Sequence, residues 1–339
     1  MREHVIGAHS PFLLGFYLIA AILFSCIYLQ VTYHWSESDF TDFTYRSGAF
    51  HQRVSPLWPM RVLMPLLVRG LAKAIPVDLG WLYRAAAVLT VFASLIIYRS
   101  YLANFMFPLL ASILAPALIY AMLWNLCMTN KGYLPFDLPS VLFFAAACHF
   151  IYRRNWLAYY PTLSLAVLNH DAGYFIVFLF LFCLYGRIQS KLLVLHLLAQ
   201  VAVCSALKYL VYLWIGTDPT CLLGYSPRCY VSFNARVILD MLTLRGNAYR
   251  DWAKFLLAFG GLWLVVPWVW RRQPGFLKRS FLVVVPFLIA MGLKGIVDEA
   301  RAYVELAPIV ITPALYAVAG ELTMARSEAE ISLWPPKHG

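Results

Sequence analysis

Charge is scarce in this sequence. Only 13% of its 339 residues are Asp, Glu, Lys or Arg, against about 25% in an ordinary soluble domain. Acidic side chains are the scarcer kind, 16 Asp and Glu against 27 Lys and Arg. No polar stretch is long enough to bury a core of its own, which argues against a separate soluble domain. The chain also lacks any Cys/His spacing of the sort that holds zinc, any long internal repeat and any low-complexity tract. The first apolar run begins near Pro11 and has no small-residue cleavage motif, so it reads as a retained helix rather than a signal peptide.

What fills the sequence is hydrocarbon: 62% of residues are hydrophobic and the mean hydropathy is +0.71. That composition predicts an all-α integral membrane protein, with residues 1–339 forming one polytopic domain. A span needs about 20 mostly apolar residues. Such runs lie near 11–31, 80–98, 105–124, 134–152, 156–169, 172–186, 192–215, 252–270, 280–296 and 303–322, which predicts about ten transmembrane helices. The net charge of +11 invites a nucleic-acid reading, but in so apolar a chain basic residues gather in cytoplasmic loops and beside anionic headgroups. With the N-terminus cytoplasmic, Arg2, Arg99, Arg153, Arg154, Arg187, Lys191, Arg271, Arg272, Lys278, Arg279 and Arg326 all fall on the inner side. Both termini are then inside, and two long loops, about 32–79 and 216–251, lie outside.

The outer loops carry amphipathic segments. Residues 60–75 place Arg61, Arg69 and Lys73 among apolar groups at helical spacing, and 232–245 do the same with Arg236 and Arg245; such helices lie along a membrane surface. Cys26, Cys127, Cys148, Cys183 and Cys204 sit in or beside apolar runs and read as small core residues. Cys221 and Cys229 share one polar loop and would pair if that loop faces an oxidising compartment. Tryptophans at span ends, Trp35, Trp58, Trp81, Trp124, Trp156, Trp214 and Trp252, read as an interfacial belt. Interior prolines such as Pro116, Pro286 and Pro313 are candidate kinks.

Against this background the polar residues converge. Glu37, Asp39 and Asp42 follow the first apolar run. Lys131 and Asp137 precede the fourth, Asn169-His170-Asp171 separate the fifth and sixth, and Asp298-Glu299-Ala300-Arg301 precede the last. In the expected topology all of them lie toward the outer side. An ionisable group near membrane depth is a functional candidate, because leaving it unpaired in hydrocarbon is costly.

Glu37-Ser38-Asp39 in a first outer loop resembles the acidic pair of the GT-C superfamily of polytopic glycosyltransferases. Pro59-Met60-Arg61-Val62-Leu63-Met64-Pro65 is similar to a P-x-x-R-x-L-x-P segment found in bacterial membrane proteins of this type. Leu168-Asn169-His170-Asp171 is similar to their N-R-E-T turn, with His170 where arginine is usual and Asp171 where glutamate is usual. The stretch from Glu299 to Pro308 looks like their closing E-x-R-x-x-x-E-x-x-P segment.

The resemblance implies transfer of a sugar from a polyprenyl-phosphate donor to a lipid, glycan or protein acceptor, at the outer face of a bacterial inner membrane. An acceptor hydroxyl is a poor nucleophile until a carboxylate takes its proton; Asp39 is the expected base, with Glu37 or Asp42 as the alternative. Glu37 and Asp39 could instead hold Mg²⁺ or Mn²⁺ through oxygen ligands. The leaving lipid phosphate needs fixed cations, and the planar fork of arginine suits it. Arg61 and Arg301 are the expected phosphate ligands, with Lys131 and His170 secondary and Glu299, Asn169 and Asp171 completing the substrate site. The expected partners are the lipid-linked donor and membrane lipids, with no nucleic acid. A transporter or flippase of a lipid-linked or anionic substrate, or a polysaccharide polymerase, would use similar charges.

Overall fold

The structure is a computed structural model of the chain, describing residues 11–32, 61–127, 136–215, 227–246, 248–294 and 299–332. Among the described residues every element is helical. Helix α1 (Pro11–Thr32) is followed by the short amphipathic α2 (Leu63–Ala74) and the long α3 (Leu79–Leu102). Next come α4 (Pro108–Leu114) and α5 (Ala117–Cys127), parted at Pro116, which has no N–H to continue the helix. α6 (Asp137–Arg153) and α7 (Trp156–Asn169) form a tight hairpin, and a 3-10 turn over Asp171–Tyr174 leads into α8 (Phe175–Leu184). α9 (Ser190–Ile215) and α10 (Pro227–Thr243) follow. The remaining helices are α11 (Ala248–Leu257), α12 (Val266–Val269), α13 (Gly275–Phe281), α14 (Val284–Lys294) and α15 (Ala307–Ser332). Three further 3-10 segments, Ala258–Val265, Trp270–Arg272 and Ala300–Leu306, connect them.

Among the described residues, seven stretches are long and apolar enough to cross a membrane: Pro11–Val31, Leu79–Leu102, Pro108–Cys127, Ser190–Trp214, Ala248–Arg272, Gly275–Leu293 and Ala300–Leu322. The expected runs near 134–152, 156–169 and 172–186 fall short of that standard. They are α6, of 17 residues, α7, of 14 residues, and the shorter apolar segment Asp171–Leu184. At ~1.5 Å per residue a 14-residue helix covers roughly 21 Å, less than the ~30 Å of a hydrocarbon core. Each of the three starts or stops at a polar turn, and that turn is where the candidate site lies.

Packing follows helical periodicity. Tyr17, Ala21, Phe24 and Tyr28 form the buried stripe of α1, while Phe12, Ile19 and Leu23 face outward. Tyr83, Ala87, Val91, Leu95, Tyr98 and Leu102 make the matching stripe of α3. Apolar contact alone drives helices together weakly in lipid, so side-chain hydrogen bonds add specificity. Tyr17 donates to the carbonyl of Ser112 at 2.8 Å, and Tyr98 shares a 2.9 Å bond with Thr312. One contiguous apolar cluster extends from Tyr17 to Leu315. Gln273, buried, donates to the carbonyl of Pro313 at 2.9 Å, and so reads the acceptor side of a residue that cannot itself donate.

Two apolar runs are not the continuous helices the sequence suggests. The run near 252–270 is interrupted by Phe259, Gly260 and Gly261, all in left-handed backbone with φ of 55°, 66° and 75°. Hydropathy is blind to this break, because the residues are apolar or neutral. A Cβ on Gly260 would lie 2.0 Å from the ring of Tyr120, so only glycine fits there. The buried Asn125 staples the break: its Oδ1 accepts from the Phe259 N–H at 2.6 Å, and its Nδ2 donates to the carbonyl of Ala300 at 3.1 Å. The run near 280–296 is likewise divided into α13 and α14.

Other expectations fare unevenly. α2 and α10 are the helices expected within the two long loops. Trp81 and Trp214 are exposed, whereas Trp124, Trp156 and Trp252 are half-buried. Cys148, Cys183 and Cys204 are buried, but Cys26 is exposed and is not a core residue, since it falls on the outward face of α1. Trp35, Trp58 and the proposed pairing of Cys221 with Cys229 lie outside what the structure describes.

Candidate functional site

Asp137 opens α6, where the helix dipole favours a carboxylate. Asn169 closes α7 and locks it to that opening. Its Nδ2 donates to the carbonyl of Phe136 at 2.8 Å and to the hydroxyl of Ser140 at 3.0 Å. The segment before α2 is pinned to the same place, because the Val62 N–H donates to the carbonyl of Leu168 at 3.0 Å. This bond carries Arg61 into the turn. Its guanidinium lies 4.3 Å from the centre of the Phe136 ring, a contact that favours arginine over an aliphatic residue. The ring of His170 stacks on Phe136 as well, at 5.3 Å between centroids.

The 3-10 turn approaches α7 closely: a Cβ on Gly173 would fall 2.7 Å from the backbone of Ala166 and Val167. That approach holds His170 and Asp171 against the other charges. Asp171 pairs with Lys208 at 2.8 Å. Lys208 is seven residues before the end of α9, and so roughly 10 Å below it. The site is therefore recessed below the level at which the longer helix ends. On the far side the 3-10 segment Ala300–Leu306 brings in Arg301, which bridges Glu299 and, at 3.6 Å, Asp137. The same segment supplies Glu305, whose Oε1 is 2.9 Å from Nδ1 of His170.

Most of this cluster is shut away from solvent. The side chains of Arg301, Asp137 and Lys208 are 12%, 8% and 11% exposed, and that of Glu305 is 3% exposed. Within this cluster, four buried polar atoms have no hydrogen-bond partner among the described residues: Nε of Arg61, Oδ2 of Asp137, Oδ1 of Asn169 and Oε2 of Glu305. Buried polar atoms are normally satisfied. Their gathering in one recess marks hydrogen-bonding capacity that the described residues leave open, with Oδ2 of Asp137 engaged only by its 3.6 Å ion pair with Arg301.

Burial pulls the Arg61 guanidinium below the ordinary arginine range, while Asp171, Asp137 and Glu305 pull it back up; it remains charged at neutral pH. Burial, reinforced by Arg61, Lys208 and Arg301, pushes His170 well below its usual value of 6.5. Nδ1 of His170 accepts from the Ala172 N–H at 3.2 Å, so at 2.9 Å from Glu305 the pair must share one proton, since two bare acceptors would repel. The folded pair holds one proton, whereas the unfolded chain takes one up at the histidine only as pH drops to about 6.5. Native stability therefore falls as pH rises through that window. His170→Asn can accept from Ala172 and donate to Glu305 without that proton, so its melting temperature falls less than that of wild type between mildly acidic and mildly alkaline buffer. Equal pH slopes in the two proteins would contradict this.

Of the residues expected from sequence, the structure brings together Arg61, Asn169, His170, Asp171, Glu299 and Arg301. Asn169 does so as a clamp between helices, its amide nitrogen engaged on both available acceptors. Glu37, Asp39, Asp42 and Lys131 lie outside the described residues, so the expected base and the expected Mg²⁺ or Mn²⁺ ligands are not placed. Among the described residues no group of three His, Cys, Asp or Glu side chains is arranged to hold a metal. Lys208 escaped the sequence reading, although a lone lysine within an apolar run is itself a signal. Asp137 stood there among the converging ionisable residues and Glu305 within the closing segment, but neither was among the expected site residues. Comparison of the chain with protein-family models, with curated proteins and with solved structures gives no match.

Proposed function

We propose that the chain is a membrane glycosyltransferase of the GT-C kind, moving a sugar from a polyprenyl-phosphate-linked donor to a lipid, glycan or protein acceptor. In this reading α6, α7 and α8 are the short members of a ten-helix bundle, their recessed outer ends forming the floor of the site. The arginine-rich end faces the cytoplasm, both termini are cytoplasmic, and the reaction takes place at the outer face of the bacterial inner membrane.

The observation that carries the reading is Arg61, held by the Val62–Leu168 bond beside Arg301, with its Nε buried and without a hydrogen-bond partner among the described residues. Two guanidiniums against a floor of paired carboxylates suit a phosphate that gains charge as its sugar leaves. Asp137, Glu299 and Asp171 hold the cations in position, which lets them stabilise that charge without reorganising. Asp39 takes the proton of the acceptor hydroxyl as the new glycosidic bond forms, and the lipid phosphate departs into the arginine pair. Glu37 and Asp42 are the alternative bases.

The gathering of these charges at one end of the bundle favours an enzyme over a transporter, whose charges would line a midplane site between repeated halves. The test is release of polyprenyl phosphate from a sugar-loaded donor by the purified protein, with Asp39→Asn as control. Loss of release in that variant, with membrane insertion intact, is the expected result. Release at the wild-type rate would remove Asp39 from the role of base, and no release by the wild-type protein with any donor would remove the transferase reading.

A further inference from the structure

The opposite end of the bundle holds a second basic feature, independent of the proposed transfer reaction. From Asp137 to Ile151 along α6 is 14 residues, which at the helical rise is roughly 21 Å. There a cavity of about 420 Å³ opens between the ends of α3, α6, α8 and α13. Arg154, Arg187 and Arg279 line it, and its lining among the described residues includes no Asp or Glu.

Two of the arginines are held by backbone carbonyls rather than by carboxylates. Arg279 donates to the carbonyl of Tyr185 at 2.6 Å. Arg154, itself in left-handed backbone with φ of 53°, donates to the carbonyl of Arg187 at 3.4 Å. Each thus uses one terminal nitrogen to fix the fork and keeps other donors for a ligand. The lining is also aromatic: Tyr152 packs edge to face on both Phe105, at 4.9 Å, and Phe276, at 5.1 Å. Three like charges around one cavity repel, and an anion between them removes that repulsion. The aromatic side chains in the lining suit a molecule that carries hydrocarbon as well as charge.

We propose that this cavity binds the phosphate of an anionic ligand, with an anionic phospholipid headgroup and a small soluble phosphate as the two sources of that chemistry. Basic pockets between transmembrane helices bind lipid headgroups by this arrangement of fixed forks over a greasy wall. Occupancy would tie α6, α8 and α13 together at the end remote from the transfer site.

The experiment uses the full-length protein in detergent and follows its melting temperature on titration with phosphatidylglycerol, phosphatidylcholine or inorganic phosphate. A rise with phosphatidylglycerol alone identifies a lipid headgroup as the ligand; a rise with inorganic phosphate as well identifies the bare anion. In either case the Arg187→Gln/Arg279→Gln double variant should lose at least half of the rise, while Arg61→Lys, at the other end, should keep it. That contrast separates this site from the transfer site. Native mass spectrometry of wild type and of the single variant Arg154→Gln gives a reading that survives misfolding of the double variant: the wild type should retain phosphatidylglycerol, and the variant should retain less. No rise with either anion, or a full rise in the double variant, would overturn the proposal, as would equal lipid retention by wild type and Arg154→Gln.

Discussion

On the proposed transferase reading, Arg61→Lys is expected to lower sugar transfer roughly 10²–10³-fold, the usual cost of losing one fixed donor to a developing negative charge, while the protein still folds and inserts. The substitution keeps the positive charge and much of the attraction to Phe136, whose ring centre lies 4.3 Å from the guanidinium. It removes the planar fork and the buried Nε that has no hydrogen-bond partner among the described residues. A lysine ammonium is a compact point charge and cannot grip a phosphate through two parallel bonds. The loss should appear in turnover and in affinity for polyprenyl phosphate, with a melting temperature close to wild type. Unchanged donor affinity in a folded Arg61→Lys protein would count against a phosphate role for this residue.

Arg301→Gln has a different signature, because it unfolds rather than merely disarms. Arg301 stands between Asp137 and Glu299 and is 12% exposed, with partners that are 8% and 13% exposed. Removing one member of a buried ionic group leaves the others uncompensated, at a cost of about 3–5 kcal/mol. Most of a membrane protein's margin could go with it, so a sharply lower melting temperature and reduced yield are expected. Arg301→Lys retains the charge but cannot serve both carboxylates with a fork, and should fall between the two. A Gln variant as stable as wild type would mean that the carboxylates find other cations and that the bridge is not structural.

The two substitutions separate positioning from binding within one recess. Asn169, Ser140 and the Val62–Leu168 bond set the frame. The Arg301–Asp137–Glu299 bridge braces it, and Arg61 is left with capacity to spare. The depth of the recess follows from helix length: α7 ends at Asn169 and the next segment begins at Asp171, each with too few residues to match the longer helices, which draws their charged turn inward. A lipid phosphate entering from the side would meet these groups away from bulk water, where each charge interaction is stronger.

Much of this arrangement was legible in the sequence, and the reasons for success and failure are physical. Charges are so scarce that their positions stand out, and the segments around Arg61, Asn169-His170-Asp171 and Glu299–Arg301 could be singled out without knowing the fold. Helix length was harder. Hydropathy measures composition along a run, so α6, α7 and α8 looked like full spans although they have only 17, 14 and 10 residues. The break at Gly260 was hidden for a related reason: a left-handed turn against Tyr120 leaves no mark on hydrophobicity, even though the Gly260-Gly261 pair permits it. Lys208 was overlooked because it lies in the middle of a long apolar helix and not beside any turn. Its partnership with Asp171 is a product of three-dimensional packing between α9 and the end of α7.

The measurement that tests the central claim most directly is a structure of the protein in lipid with a polyprenyl monophosphate bound. The account predicts phosphate density within hydrogen-bond reach of Arg61 and on the Arg301 side of the recess, with the prenyl chain leaving between helices into the bilayer. Phosphate density away from Arg61, or a recess closed over by Arg61 engaging a carboxylate of its own, would contradict it.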